Sequence, residues 1–282
     1  MIDKYYNGVI EQVYNRVGKT QRNIVMASYN NDFSIENLET IKRYQDKDDS
    51  VFFAWHEFGY RELTGAYEPF LDTICNMFRK YREGDFDIFL AECGVYELHK
   101  EVFRSYYETG ICDREEGVLL NEVEYEQGRM TEAIAAMLKA LAKTHPIVLV
   151  INRFQMASRS AIELVHALIT NPDPNIGLVL GVNESAGRGD CIAEVWDGIV
   201  ESLEDHSQLY HIGSSNRRRT ELKEEITLSE GYTDNVYVDE NYEESIQKVA
   251  NIVEFLDYDQ AKRYFQRVEH KIKFEEAQME ES

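Results

Sequence analysis

Two short apolar runs, Ile147–Ile151 and Ile176–Val182, contain Val, Ile and Leu without polar alternation, the pattern of strands buried on both faces. Between them Ile162, Val165, His166 and Ile169 recur at three- and four-residue steps behind Ser158, a side chain suited to an N-cap. Strand, helix and strand joined by short connections predict a βαβ unit, and hence a parallel sheet covered by helices. The first strand runs out at Asn152-Arg153, on the edge where open α/β sheets carry their ligands.

Similar patterning extends over much of the chain. Tyr6, Val9, Ile10, Val13 and Val17 mark a helix over Asp3–Val17 that breaks at Gly18. Asn23–Ala27 reads as a short strand, Ile35–Gln45 as a helix starting at or just before Ser34, and Ser50–His56 as a strand rich in aromatic and β-branched residues. Gly65 and Pro69 introduce a helix over Phe70–Tyr81. Residues 85–128 read as an aromatic-rich helical insert or lid, interrupted by Gly94, Gly110 and Gly117, whose aromatics serve as core. Met130–Lys143 is an amphipathic helix of high propensity, Asp190–Leu203 another helix, and Gln208–Gly213 a fifth strand. Residues 214–240 are polar and charged, a linker or irregular return. Over 241–282, Asn241–Leu256 and Asp257–Glu276 carry facing apolar stripes, an antiparallel helical hairpin before an acidic tail.

Composition narrows the partners. At 282 residues, 43% hydrophobic and 12% aromatic, the chain can bury a full core. A formal charge of −22 disfavours nucleic acid and anionic membranes alike, and Arg217-Arg218-Arg219 reads as a solvated loop against that background. Cys75, Cys93, Cys112 and Cys191 form no C-x-x-C pair, so neither a zinc site nor a disulfide framework is indicated and a reducing cytoplasm is expected. No run approaches the ~18 apolar residues of a membrane span, and the N-terminus lacks a signal-peptide core.

The order of motifs sharpens the expectation. NIVMA-SYNNDFS-IENLETIKRY stands where a P-loop enzyme has strand, G-x-x-x-x-G-K-[ST] and helix; VFFAWHEFGYRELTGAYEPFLDTI, IVLVINRFQMASRSAIELVHAL and LVLGVN follow in register. Over about residues 20–213 this resembles the ATPase domain of STAND-type AAA proteins: second strand and helix, Walker B strand, and fourth strand ending at the polar sensor position Asn183. The resemblance implies a P-loop NTPase-like, three-layer, doubly wound, mainly parallel five-stranded sheet over residues 1–213. In such relatives helical repeats of the tetratricopeptide type commonly follow, and the C-terminal hairpin resembles the opening pair of such an array, near the ~34-residue unit. Because one pair buries its stripe poorly, either the chain is the front piece of a longer signalling protein, or the hairpin packs on its own domain or a partner subunit.

The departures from the motif decide the expected chemistry. Ala27 and Asp32 take the two glycine positions, Phe33 the lysine and Ser34 the serine/threonine. Side chains at Ala27 and Asp32 restrict a backbone that should wrap phosphates, Asp32 adds negative charge there, and Phe33 supplies none of the positive charge needed at the β/γ oxygens. At the Walker B position Asn152 cannot supply a metal-bridging carboxylate and Arg153 cannot orient water as a base. The expectation is therefore a pseudo-ATPase without catalytic residues, metal or obligatory cofactor, acting as a regulatory or scaffolding module through protein partners or self-association. The alternative is a sensor that binds ATP or ADP without hydrolysis, through main-chain amides of Ser28–Ser34 and side chains such as Arg153 or Asn183. The residues at issue are Ser28, Asn30, Asn31, Asp32, Phe33, Ser34, Asn152, Arg153 and Asn183. As bare structure, Asn30, Asn31 and Asp32 suit a tight turn and Ser34 a cap. His56-Glu57 reads as a polar strand-edge pair rather than a metal site, Cys191 as a buried thiol, and no G-x-S-x-G elbow marks a hydrolase.

Overall fold

The computed structural model describes residues 2–31, 33–45, 50–59, 64–111, 122–186, 193–212, 242–255, 257–258, 260–262 and 264–265. Asp32, Cys112, Cys191, the Arg217–Arg219 cluster, the 214–240 return and most of the second C-terminal helix fall outside them.

Five strands form one sheet: β1 (Asn23–Tyr29), β2 (Phe52–Glu57), β3 (Ile147–Asn152), β4 (Ile176–Asn183) and β5 (Leu209–Ile212). All pair parallel, in the order β2-β3-β4-β1-β5. The chain is therefore an α/β protein with an all-parallel five-stranded sheet. The central strands β1, β3 and β4 are buried along their whole length, as their unbroken apolar runs require, whereas β2 at the edge is half-buried throughout.

The helices are α1 (Ile2–Arg16), α2 (Glu39–Gln45), α3 (Phe70–Tyr81), α4 (Phe86–Glu92), α5 (Glu97–Thr109), α6 (Val123–Ala142), α7 (Arg159–Thr170), α8 (Ala193–Asp205) and α9 (Tyr242–Glu254), with a 3-10 turn at Phe154–Met156. None is long and apolar enough to cross a membrane. Two expected boundaries move. Ser34 does not open a helix: its Oγ accepts from Glu36 N at 3.4 Å in a turn, and α2 begins only at Glu39. The expected boundary between the 85–128 insert and the helix from Met130 lies inside α6, which carries Gly128 in its interior. A single helical glycine costs only about 1 kcal/mol, and buried Met130, Ile134, Met137 and Leu138 outweigh it.

The chain divides into two compact units, 1–59 with 138–157 and 165–234, and 60–137 with 158–164 and 235–282. In the first, α1 and α2 cover one face of the sheet, where Tyr6, Val9, Ile10, Val13, Leu38 and Ile41 pack on Val25, Ala27, Tyr29, Val148, Val150 and Val179. Two glycines let α1 lie directly on β4. A Cβ at Gly177 would stand 2.7 Å from Val13 Cγ1, and one at Gly181 2.2 Å from the Tyr6 hydroxyl. The pairing order makes α1 antiparallel to β4: seven residues of helix rise about 10 Å, matching about 13 Å for four residues of strand. Helices α7 and α8 are neighbours, with Gly198 beside the His166 ring, and α8 packs on β1 and β5.

The second unit is built on aromatics. Phe78 meets Phe86, Phe89 and Tyr107, and Phe255 at the end of α9 meets Tyr67, Phe103 and Tyr106. The described part of the C-terminal segment thus packs on helices of its own chain. Gln260 Nε2 donates to Thr64 O at 2.8 Å, and the Tyr264 hydroxyl accepts from Thr64 N at 3.0 Å.

Candidate functional site

The chain leaves β1 towards β2 and leaves the adjacent β4 towards β5, so the connections from the carboxyl ends of these neighbours run in opposite directions. In open α/β sheets such a point opens a ligand crevice. Here it is bridged by protein. Glu184 N donates to Tyr29 O at 2.8 Å, and Ser185 Oγ donates to Asn30 O at 2.6 Å. Asn183 holds its own turn: its Oδ1 accepts from Ser185 N at 3.0 Å, and its main chain exchanges hydrogen bonds with the buried Gln155 side chain at 3.3 and 3.4 Å. Asn30, Asn31 and Ser34 are exposed and Ser28 is buried.

Asn152, at the end of β3, is fully buried and uses both ends of its amide. Its oxygen accepts from the Tyr29 hydroxyl at 2.7 Å, while its nitrogen donates to Glu57 Oε2 at 3.0 Å and to Phe33 O at 3.2 Å. An aspartate could accept from Tyr29 but could donate to neither of the other two, so the amide is the group this position requires. Parallel pairing places Glu57 in register with Asn152, the reason the two ends of β2 and β3 meet. Glu57 Oε2 also accepts from Ile35 N at 2.8 Å, and Oε1 pairs with Arg153 Nη1 at 3.1 Å. Glu57 therefore links the segment after β1 to the end of β3.

Arg153 adopts left-handed backbone angles, φ 54° and ψ 40°, uncommon for a side-chain-bearing residue. The bend returns its guanidinium to β2, where Nη1 also donates to Phe58 O at 3.1 Å. With both side chains only 15% exposed, the Glu57–Arg153 pair is shielded from water far more than a surface ion pair. Phe33, which the sequence resemblance aligns with a P-loop lysine, points its ring into apolar company: Tyr29 and Tyr6 lie edge-on with centroids at 4.7 and 5.2 Å. The Tyr6 hydroxyl is buried with no hydrogen-bond partner among the described residues, and that burial, with the nearby Tyr29 and Glu57, raises its pKa well above the usual tyrosine range.

Of the residues singled out from sequence, the fold brings together Phe33, Asn152 and Arg153 around Glu57, and Asn30 with Asn183 by way of Ser185. From sequence, Glu57 reads only as a strand-edge residue, and Tyr29, Tyr6 and Gln155 carry no site role. One signal could have found Glu57: placing the ends of β2 and β3 side by side sets a carboxylate against Asn152-Arg153. Among the described residues no three His, Cys, Asp or Glu side chains are grouped to hold a metal ion. The chain matches no protein-family model and no curated protein.

Proposed function

We propose that this chain is a catalytically inactive, ATPase-like module that acts as a regulatory or scaffolding element through protein–protein contacts. One observation carries the reading: the polar groups at the strand ends, where an ATPase would engage phosphate and metal, bond to one another. Asn152 is committed to Tyr29, Glu57 and Phe33, and Arg153 to Glu57 and Phe58. Phosphoryl transfer rests on positioned positive charge and a metal-holding carboxylate. In the Phe33–Asn152–Arg153 arrangement the lysine position is an aromatic ring and the metal-acid position an amide. Support also comes from the strand order, in which β4 lies between the strand leading into the Ser28–Ser34 segment and the strand ending at Asn152. In the STAND-type AAA domains that the sequence resembles, the phosphate loop and the metal acid belong to those two strands.

The test is thermal unfolding of the purified chain with ATP, ADP or GTP and Mg²⁺, because a ligand that binds only the native state must raise its stability. The expected result is an unchanged Tm with each nucleotide and no phosphate release. A nucleotide-dependent rise in Tm would replace this reading with that of a nucleotide sensor. Sedimentation over a wide concentration range tests the scaffolding half: a chain that stays monomeric and binds no protein would remove it.

A further inference from the structure

We infer that Glu57 is the built-in occupant of an anion seat, its carboxylate holding the place a small soluble anion would otherwise take at the carboxyl edge of the sheet. Three donors of three kinds converge on it: a main-chain N–H from Ile35 at 2.8 Å, a side-chain amide from Asn152 at 3.0 Å and a guanidinium from Arg153 at 3.1 Å. An ionised carboxylate accepts only, and such a donor set is what proteins present to carboxylate or phosphate oxygens.

Two of the three donors, Asn152 and Arg153, are fixed by groups other than the occupant. Asn152 is wholly buried, and because Tyr29 fills its oxygen, its NH₂ must face Glu57 and Phe33 O. Arg153 is held by its left-handed backbone and by Phe58 O. The donors come from β3 and the segment after β1, whereas the acceptor arrives from β2. Removing the carboxylate therefore leaves donors aimed at one point, which is the condition for a preorganised anion site.

The regulatory consequence rests on the pseudo-ATPase reading, while the seat rests on geometry alone. A segment that a soluble anion would order on binding is instead tied through Ile35 N to an anion carried by the chain, so its order does not follow the supply of any ligand.

The experiment uses the full chain carrying Glu57→Ala, unfolded thermally in formate or acetate and in chloride of equal ionic strength. The variant should have a lower Tm than the wild type, and formate should restore several degrees that chloride does not, with the wild type indifferent to the exchange. Equal responses of variant and wild type would overturn the seat. Should Glu57→Ala not fold, Glu57→Gln and Arg153→Met are combined in a double-mutant cycle. Coupling of about tenfold or more in the unfolding constant is then expected, and additivity overturns the inference. The outcomes separate cleanly: a nucleotide-induced shift in the wild type removes the pseudo-ATPase reading and leaves the seat, and a failed formate rescue does the reverse.

Discussion

Gly181 on β4 offers a sharp test of how α1 lies on the sheet. Its substitution by alanine would place a methyl group 2.2 Å from the Tyr6 hydroxyl, 2.5 Å from Asn152 Oδ1 and 3.1 Å from Tyr6 Cζ. None of these atoms can yield easily. Tyr6 is fully buried and edge-on to Tyr29 and Phe33, and moving Asn152 would strain its hydrogen bonds to Tyr29, Glu57 and Phe33. Overpacking of this kind costs about 1–3 kcal/mol, and with contacts of 2.2 and 2.5 Å to atoms that cannot yield the upper end applies; less roughly 0.5–1 kcal/mol from the reduced chain entropy of alanine, a net loss of about 2 kcal/mol is expected. Tyr6→Phe removes the closest contact and should recover about half of that loss in the double variant, leaving the ring carbon and Asn152 in place. On its own, Tyr6→Phe should be neutral or slightly stabilising, because the hydroxyl it deletes has no partner among the described residues. Urea unfolding followed by tryptophan fluorescence is the assay, since both tryptophans, Trp55 and Trp196, belong to the sheet unit. With a slope of about 2 kcal/mol per molar urea, the midpoint should fall by about 1 M. A Gly181→Ala variant as stable as the wild type, or one not relieved by Tyr6→Phe, would refute this packing of α1 on β4.

Other expectations follow from single contacts. Asn152→Asp, which supplies the acid that the proposed ATPase-like reading finds absent, should not create hydrolysis. It should destabilise the chain by about 3 kcal/mol, because two buried donations vanish and a second carboxylate faces Glu57; a gain of steady-state phosphate release, or an unchanged urea midpoint, would contradict it. Gly110 caps α5 at φ 73° with open space where a side chain would stand, so Gly110→Ala should cost only the left-handed backbone penalty of about 1 kcal/mol, read as a small drop in Tm. Burial pushes the Cys75 thiol from 9.0 up to about 12, and burial likewise raises Tyr6, Tyr67 and Tyr106 above 10.0. The unfolded chain then loses these protons first, so stability should be intact below pH 9 and fall as pH climbs towards 12, with tyrosinate absorbance rising together with unfolding. Tyrosinate appearing in the folded chain near pH 10 for all residues would show that these rings are not shielded.

The course of the chain was legible where its information is local. The apolar runs Ile147–Ile151 and Ile176–Val182 announce buried parallel strands, and the stripe Tyr6–Val9–Ile10–Val13 announces α1, because period and burial are written in consecutive residues. That position 33 carries an aromatic ring and position 152 an amide is equally plain, since residue identity is local. What the sequence alone left undecided depends on groups distant along the chain. Ser34 reads as a helix start, yet Ile35 N is held by Glu57, twenty-two positions away, and the helix waits until Glu39. The insert reads as ending at residue 128 with a new helix from Met130, yet α6 runs unbroken from Val123 through that boundary to Ala142. Glu57 and Asn152 are separated by 95 positions and meet only because β2 lies beside β3 in parallel register. Their meeting turns an ordinary strand-edge carboxylate into the centre of the site, and that step belongs to the tertiary structure, since pairing register follows from burial summed over the whole sheet rather than from any one segment.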